Sequence, residues 1–251
     1  MQAFATLFRR ELGSYFTSMT RYVIIAAVMF LTGYSFVVLL VKLQQVPTPM
    51  PITEMFYVTP FFWIILLLAT PAITMRLFAL EKFSGTFETL MTAPVTDLQV
   101  VLAKFGAALV FYMIMWLPLL GCILLVRYFT SDPGALDIGV VLSTFLGIFL
   151  LGGVFISVGS CASAITRSQA TAAMITLVFG AALFLLGVLA GQLPSESASW
   201  QTRVLSTLSI FDQMHDFARG VVDTQPVVLF VSLTLFFLFL NLRIIESRRW
   251  K

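Results

Sequence analysis

Charge is scarce in this chain. Asp, Glu, Lys and Arg make up 11% of its 251 residues and hydrophobic residues 59%, whereas globular domains carry roughly a quarter charged residues. That excludes a soluble globular domain and leaves an integral membrane protein. The net charge of +3 is small, and the basic excess sits beside the apolar runs, so nucleic acid is not expected as a partner. Cysteine is sparse too. Cys122 and Cys161 fall inside apolar runs, near opposite membrane faces in the topology below. That is far beyond the roughly 7 Å Cα separation a disulfide tolerates, so neither a bridge nor a metal site is expected of them. No G-x-x-x-x-G-K-[ST] phosphate loop occurs, so the chain does not bind ATP by that route. Nor does the N-terminus read as a cleavable signal. Arg9 and Arg10 follow apolar residues, and no short apolar core with a small-residue cleavage site comes after them.

Long apolar runs are what the chain has instead. At about 20 residues per span, its length holds about six spans and no separate soluble domain. The runs lie at 22–41, 56–75, 105–126, 138–165, 170–191 and 227–242. Pro71 and Pro118 stand inside the second and third and are expected to kink them. The fourth carries Gly152, Gly153, Ser157, Gly159, Ser160 and Ala164. Small residues at such spacing let helix backbones approach, so it reads as a packing helix. With the N-terminus inside, eleven of the fifteen basic residues lie on the cytoplasmic side, so both termini are expected to be cytoplasmic. No assigned span holds a charged residue. Ion-coupled transporters usually keep an ionisable group there for the driving ion.

Three polar stretches remain. In residues 1–20, Phe4, Leu7, Phe8, Leu12, Tyr15 and Phe16 form one face, with Arg9 and Arg10 opposite, as in a helix lying along the membrane. Glu11 is the misfit on the apolar arc and must snorkel or meet a partner. The cytoplasmic segment 77–97 places Leu80, Phe83, Phe87, Leu90 and Met91 on one stripe, with Glu81 and Glu88 along its edge. The spacing predicts an amphipathic helix from Leu77 to Met91, stopped at Ala93-Pro94. The outer loop 192–226 sets Asp212, Asp216, Arg219 and Asp223 against Phe211, Met214, Phe217 and Val221. That predicts short lid or re-entrant helices, with Arg219 pairing to Asp216 or Asp223. A solvated face accounts for those acids better than a metal cluster. Ser160 with His215 as a nucleophile and base is disfavoured, because the topology puts the serine in the inner half of the membrane and the histidine outside.

The stretch RLFALEKFSGTFETLMTAP, Arg76 to Pro94, resembles the cytoplasmic connection between the second and third spans of type-2 ABC exporter permeases, whose pattern reads roughly E-x-x-x-G-T-x-E-x-L-x-x-x-P. The RREL helix at Arg9, the six spans, the helical outer loop and the RxxESRRW tail from Arg243 agree with it. FARGVVD, Phe217 to Asp223, brings the gliding-motility branch closest. The resemblance covers essentially the whole chain. It implies an all-α permease with six transmembrane helices, an N-terminal interfacial helix, and a cytoplasmic coupling helix seated in a separate ATPase subunit. Glu81, Gly85, Thr86, Glu88, Leu90 and Pro94 are then the coupling residues; Arg9, Arg10 and Glu11 belong to the interfacial helix, and Asp212, Asp216 and Arg219 to the outer lid. Phe83-Ser84 departs from relatives that carry an acid before the glycine. The resemblance further implies two ATPase copies holding ATP and Mg, a second permease copy or paralogue, room for a periplasmic accessory protein, and a bacterial cytoplasmic membrane. This chain itself is then expected to hold no cofactor and to catalyse nothing. A stand-alone channel or secondary transporter is the competing reading, and charge-free spans match it poorly.

Overall fold

The computed structural model describes residues 2–45, 51–87, 95–130, 137–192 and 209–249. Eleven helices and no strand occur among them: α1 Gln2–Thr17, α2 Met19–Gln45, α3 Ile52–Val58, α4 Pro60–Thr74, α5 Ala79–Ser84, α6 Asp97–Met115, α7 Leu117–Thr130, α8 Ile138–Ile165, α9 Gln169–Gln192, α10 Ile210–Arg219 and α11 Thr224–Arg249. Six helical stretches are long and apolar enough to cross a membrane: Met19–Gln44, Pro60–Ser84, Asp97–Phe129, Ile138–Ile165, Gln169–Leu189 and Thr224–Ser247.

Helix α8 is the post of the bundle, packing against α4, α6, α9, α10 and α11. Ser143, Thr144 and every residue from Gly147 to Ala164 except Phe149 are buried. Its glycines make that possible. A Cβ on Gly147 would lie 2.8 Å from the Met214 sulfur, one on Gly152 would overlap the Tyr112 ring, and one on Gly159 would overlap the Thr74 hydroxyl. Each glycine therefore admits one neighbour: α10, α6 and α4 respectively. At 1.5 Å per residue, Ser143 and Ser163 stand about 30 Å apart along this post, roughly the thickness of a hydrocarbon core.

Proline shapes two spans, the third beside Pro118 as expected and the second at Pro60, while Pro71 lies inside α4. The second does not begin at Phe56. Pro60, lacking an N–H, starts α4 at its first turn, so 52–58 becomes the separate helix α3. The third breaks at Trp116, with Pro118 in the first turn of α7, where its ring is tolerated. The N-terminal amphipathic helix forms as expected, but its apolar face packs on α6. Leu7 and Tyr15 are buried, and Tyr15 stacks on Phe111 at 4.8 Å between ring centres.

Candidate functional site

The C-terminal end of α8 carries the segment on which the sequence places most of its candidate residues. Ser163 Oγ accepts the N–H groups of Phe78 and Ala79, each at 3.0 Å, and donates to the Met75 carbonyl at 3.3 Å. A helix start leaves N–H groups without intrahelical partners. Here a side chain of the central post satisfies two of them. The ammonium of Lys82 donates to the Ala164 carbonyl in the last turn of α8, where the helix dipole favours a cation. Helix α5 is thus bound at both ends to one turn of α8.

A second tie runs through Lys104 of α6. Its side chain is 2% exposed, and its Nζ lies 2.7 Å from Glu81 Oε1 of α5 and 3.2 Å from Glu11 Oε1 of α1. The ring of Phe78 sits 5.4 Å from the same nitrogen. Glu11 is therefore no misfit. It lies on the apolar arc because that arc faces the buried lysine. One ammonium serves two carboxylates, and Glu81 Oε2 is buried without a hydrogen-bond partner. The two acids come from segments that the chain could otherwise move independently, so the cluster joins α1, α5 and α6 into one body.

The opposite face of α5 is bare. Leu80 is 41% exposed and Phe83 78%, and Ser84, Gly85 and Thr86 are exposed with them. The expected continuous helix from Leu77 to Met91 does not form. It stops at Ser84, where Gly85 takes a left-handed φ of 74°. Glycine adopts that conformation at no steric penalty. Among the described residues no atom lies within 4 Å of a Cβ built there, so the turn is what calls for glycine at Gly85. Ser84 and Thr86 hydroxyls meet across it at 2.8 Å. Glu81 turns inward, away from this bare face. Glu88, Leu90 and Pro94 lie outside the described residues. Arg9 and Arg10 are exposed on α1.

The other end of the post holds α10. Ser143 donates to the Phe217 carbonyl at 2.7 Å, and Thr53 of α3 donates to the Ala218 carbonyl at 2.9 Å. Met214 and Phe217 are buried against α8 and Phe211 stacks on Trp63. The expected pairing of Arg219 with Asp216 or Asp223 is replaced by a longer-range one. Arg219 Nε and His215 Nε2 lie 2.7 and 3.1 Å from the same oxygen of Glu54, a carboxylate 4% exposed. A buried charge needs such partners, and α3 brings it within reach. Asp212 remains exposed in the first turn of α10, and Asp216 is half-buried. Burial, and then the charges of Asp212 and Asp216, push the Tyr57 phenol far above its ordinary pKa. It therefore stays protonated and donates to the Phe211 carbonyl. His215 is held at this end, whereas Ser160, toward the other end of α8, accepts from Asn241.

Removing Glu54 tests this lock. Glu54→Ala strips the carboxylate acceptor from Arg219, itself 49% exposed. Discounting for that exposure, the loss is about 1–2 kcal/mol, or roughly 5- to 30-fold faster local opening. Amide exchange across 210–219 in membranes should accelerate by that factor while α8 stays protected. Unchanged exchange in α10 would show that Glu54 does not hold it.

Lys104, Ser163 and Glu54 carry this geometry, and sequence reasoning assigned none of them a role. Residues 39–245 match a protein family described as ABC-2 family transporter protein. The match runs from within α2 to within α11, taking in α5, Lys104 and Ser163. No curated protein matches the chain.

Proposed function

This chain belongs to the ABC-2 transporter family, and we propose that it works as the permease half of a two-fold assembly, driven by ATPase subunits seated on the α5 end of the bundle. As a permease of an ABC transporter it acts with an ABC ATPase. The finer reading is ours: two ATPase copies that hold the ATP and Mg, a second permease copy or paralogue, and export or mechanotransmission in a bacterial inner membrane with both termini cytoplasmic. Kinship with the gliding-motility branch, and a periplasmic accessory protein, belong to the same reading. One observation carries it. Helix α5 is tied on one side to α8 through Ser163 and Lys82 and to α6 through Glu81, and leaves Leu80, Phe83 and the Gly85 turn bare. A short helix held this firmly by its inner side passes a push on its outer side to the central post instead of absorbing it. ATP turnover on the partner would then rock the bundle between discrete arrangements.

The bare face gives the experiment. Phe83→Asp removes an apolar anchor that is 78% exposed, so this chain should insert and fold as before. A central aromatic anchor contributes about 2 kcal/mol or more to an interface, roughly 30-fold in affinity. Gly85→Leu, forced into the left-handed region, should lose about 1–2 kcal/mol. Both variants should retain far less ATPase through purification in mild detergent, at matched expression. Wild-type co-purification and hydrolysis in both would remove α5 from the interface.

A further inference from the structure

We infer that Arg21 and Arg76 form a binding site for a phosphate-type anion, the headgroup of an anionic phospholipid, between the first turns of α2 and α9. Arg76 follows α4 and reaches sideways across the bundle. Its Nε donates to Gln169 Oε1 at 3.1 Å and its terminal nitrogen to Thr20 Oγ1 at 3.3 Å. Arg21, the residue after Thr20, donates to Ser14 Oγ at 3.1 Å, and its guanidinium lies 3.7 Å over the buried Tyr15 ring. The two cations are close enough for their charges to oppose one another. Both are half-buried, which strengthens that repulsion relative to open water.

The Glu11 charge offsets it in part at Arg21, but without an ion pair. Among the described residues neither arginine forms an ion pair. Glu11, the acid whose charge reaches Arg21, is itself paired with Lys104. Among the described residues the two guanidiniums meet neutral oxygens and a ring, which hold the side chains in place without cancelling their charge. An anion that accepted from both would turn a like-charge pair into a clamp, because guanidinium donors match phosphate oxygens in geometry. The first turns of α2 and α9 add partial positive charge to the same place. The site lies where α2 emerges from the bundle beside the amphipathic helix α1, the level at which a bilayer presents its headgroups. The inference is independent of the ATPase reading and needs only that the helices span a membrane.

The test uses the purified full chain in detergent, titrated with phosphatidylglycerol and, separately, with phosphatidylcholine, binding being read by native mass spectrometry. Phosphatidylglycerol should bind more tightly. Arg76→Gln should weaken it about tenfold, the size of one charge-assisted hydrogen bond, and Arg76→Lys less. Arg21→Gln should act alike; since it also strips the cation from Tyr15, Arg76→Gln alone suffices if that variant does not fold. The double change Arg9→Gln/Arg10→Gln, on exposed arginines, should leave the preference intact. Inorganic phosphate is the second probe. Competition by phosphate identifies a site that reads the bare anion, while its absence identifies one that needs the lipid, and either result supports the clamp. Equal binding of the two lipids overturns it. So does an equal loss in the Arg9/Arg10 variant, which would reduce the effect to general surface charge.

Discussion

Lys104→Met should destabilise the folded permease by about 3–5 kcal/mol, the cost of removing one partner from a buried ion cluster. The substitution keeps the length of the side chain and deletes only the charge. What remains is two carboxylates, 11% and 14% exposed, facing each other with no cation between them. Neither can turn to water without pulling α1 or α5 off α6. At this chain length each kcal/mol moves a thermal midpoint by roughly 2–4 °C, so the fall should be on the order of 10 °C in detergent. Helix α5 should loosen first, because it loses its hold on α6 while Ser163 still tethers its start. The triple variant Glu11→Gln/Glu81→Gln/Lys104→Met separates charge from packing. Replacing a whole buried ion cluster by neutral groups is often close to neutral in stability, so the triple variant should recover most of the lost midpoint. A wild-type midpoint for Lys104→Met alone would mean that the ammonium is not the joint between these helices.

Much of this architecture was legible in the sequence, and the reason is hydropathy. A span must be apolar over about 20 residues, and that demand leaves a mark no tertiary contact can erase. The packing role of α8 was legible for a similar reason, since glycine and serine clustered in a span have few other uses. The candidate site was only half legible. Periodicity placed Leu80 and Phe83 on one stripe but could not say which way the stripe faced, and the structure turns it outward. Glu81 was expected on the stripe's edge, yet it turns inward to a partner 23 residues away on α6. No local rule couples positions at that distance. One signal was available. Glu11 sat on an apolar arc, and Lys104 stood at the mouth of a span with no acid beside it. An acid and a base that both violate their surroundings are candidates for each other. Glu54 and Arg219 pose the harder case, 165 residues apart. The helical spacing offered Asp216 and Asp223 as nearer partners for Arg219, and the buried acid on α3 took it because burial makes pairing more valuable there. The break at Gly85 escaped because glycine inside a helical pattern is often tolerated; the left-handed turn appears only once the helix is fixed at its start by Ser163.

Gly159→Val should separate α4 from α8 and release α5 with them. A Cβ at this position would overlap the Thr74 hydroxyl and lie 2.7 Å from Thr74 Cβ and 2.9 Å from its methyl carbon. Thr74 cannot swing aside cheaply, since its hydroxyl donates to the Thr70 carbonyl at 2.8 Å and its own Cβ is part of the clash. The helices themselves must part. Gly159 and Ser163 are four residues apart and so share one face of α8. Thr74 and Phe78, the residues they meet, are also four apart, so one strip of α8 holds both the end of α4 and the start of α5. Parting the helices at Gly159 therefore stretches the Ser163 bonds to Phe78 and Ala79. Overpacking of this kind costs about 1–3 kcal/mol, occasionally more, and the added strain on two buried hydrogen bonds puts the expected loss at about 3 kcal/mol. Thr74→Gly in the same chain removes every atom of the clash and should restore most of it, less about 1 kcal/mol for a glycine in a helix. Thr74→Ala should restore less, because its Cβ stays in place. Gly33→Ala and Gly121→Ala are the controls, since among the described residues no atom lies within 4 Å of a Cβ at either position, and they should be neutral or slightly stabilising. The measurements are the thermal midpoint and the ATPase retained on purification. If Gly159→Val tracked the two controls in both, close approach of α4 to α8 would not be what holds α5 in place.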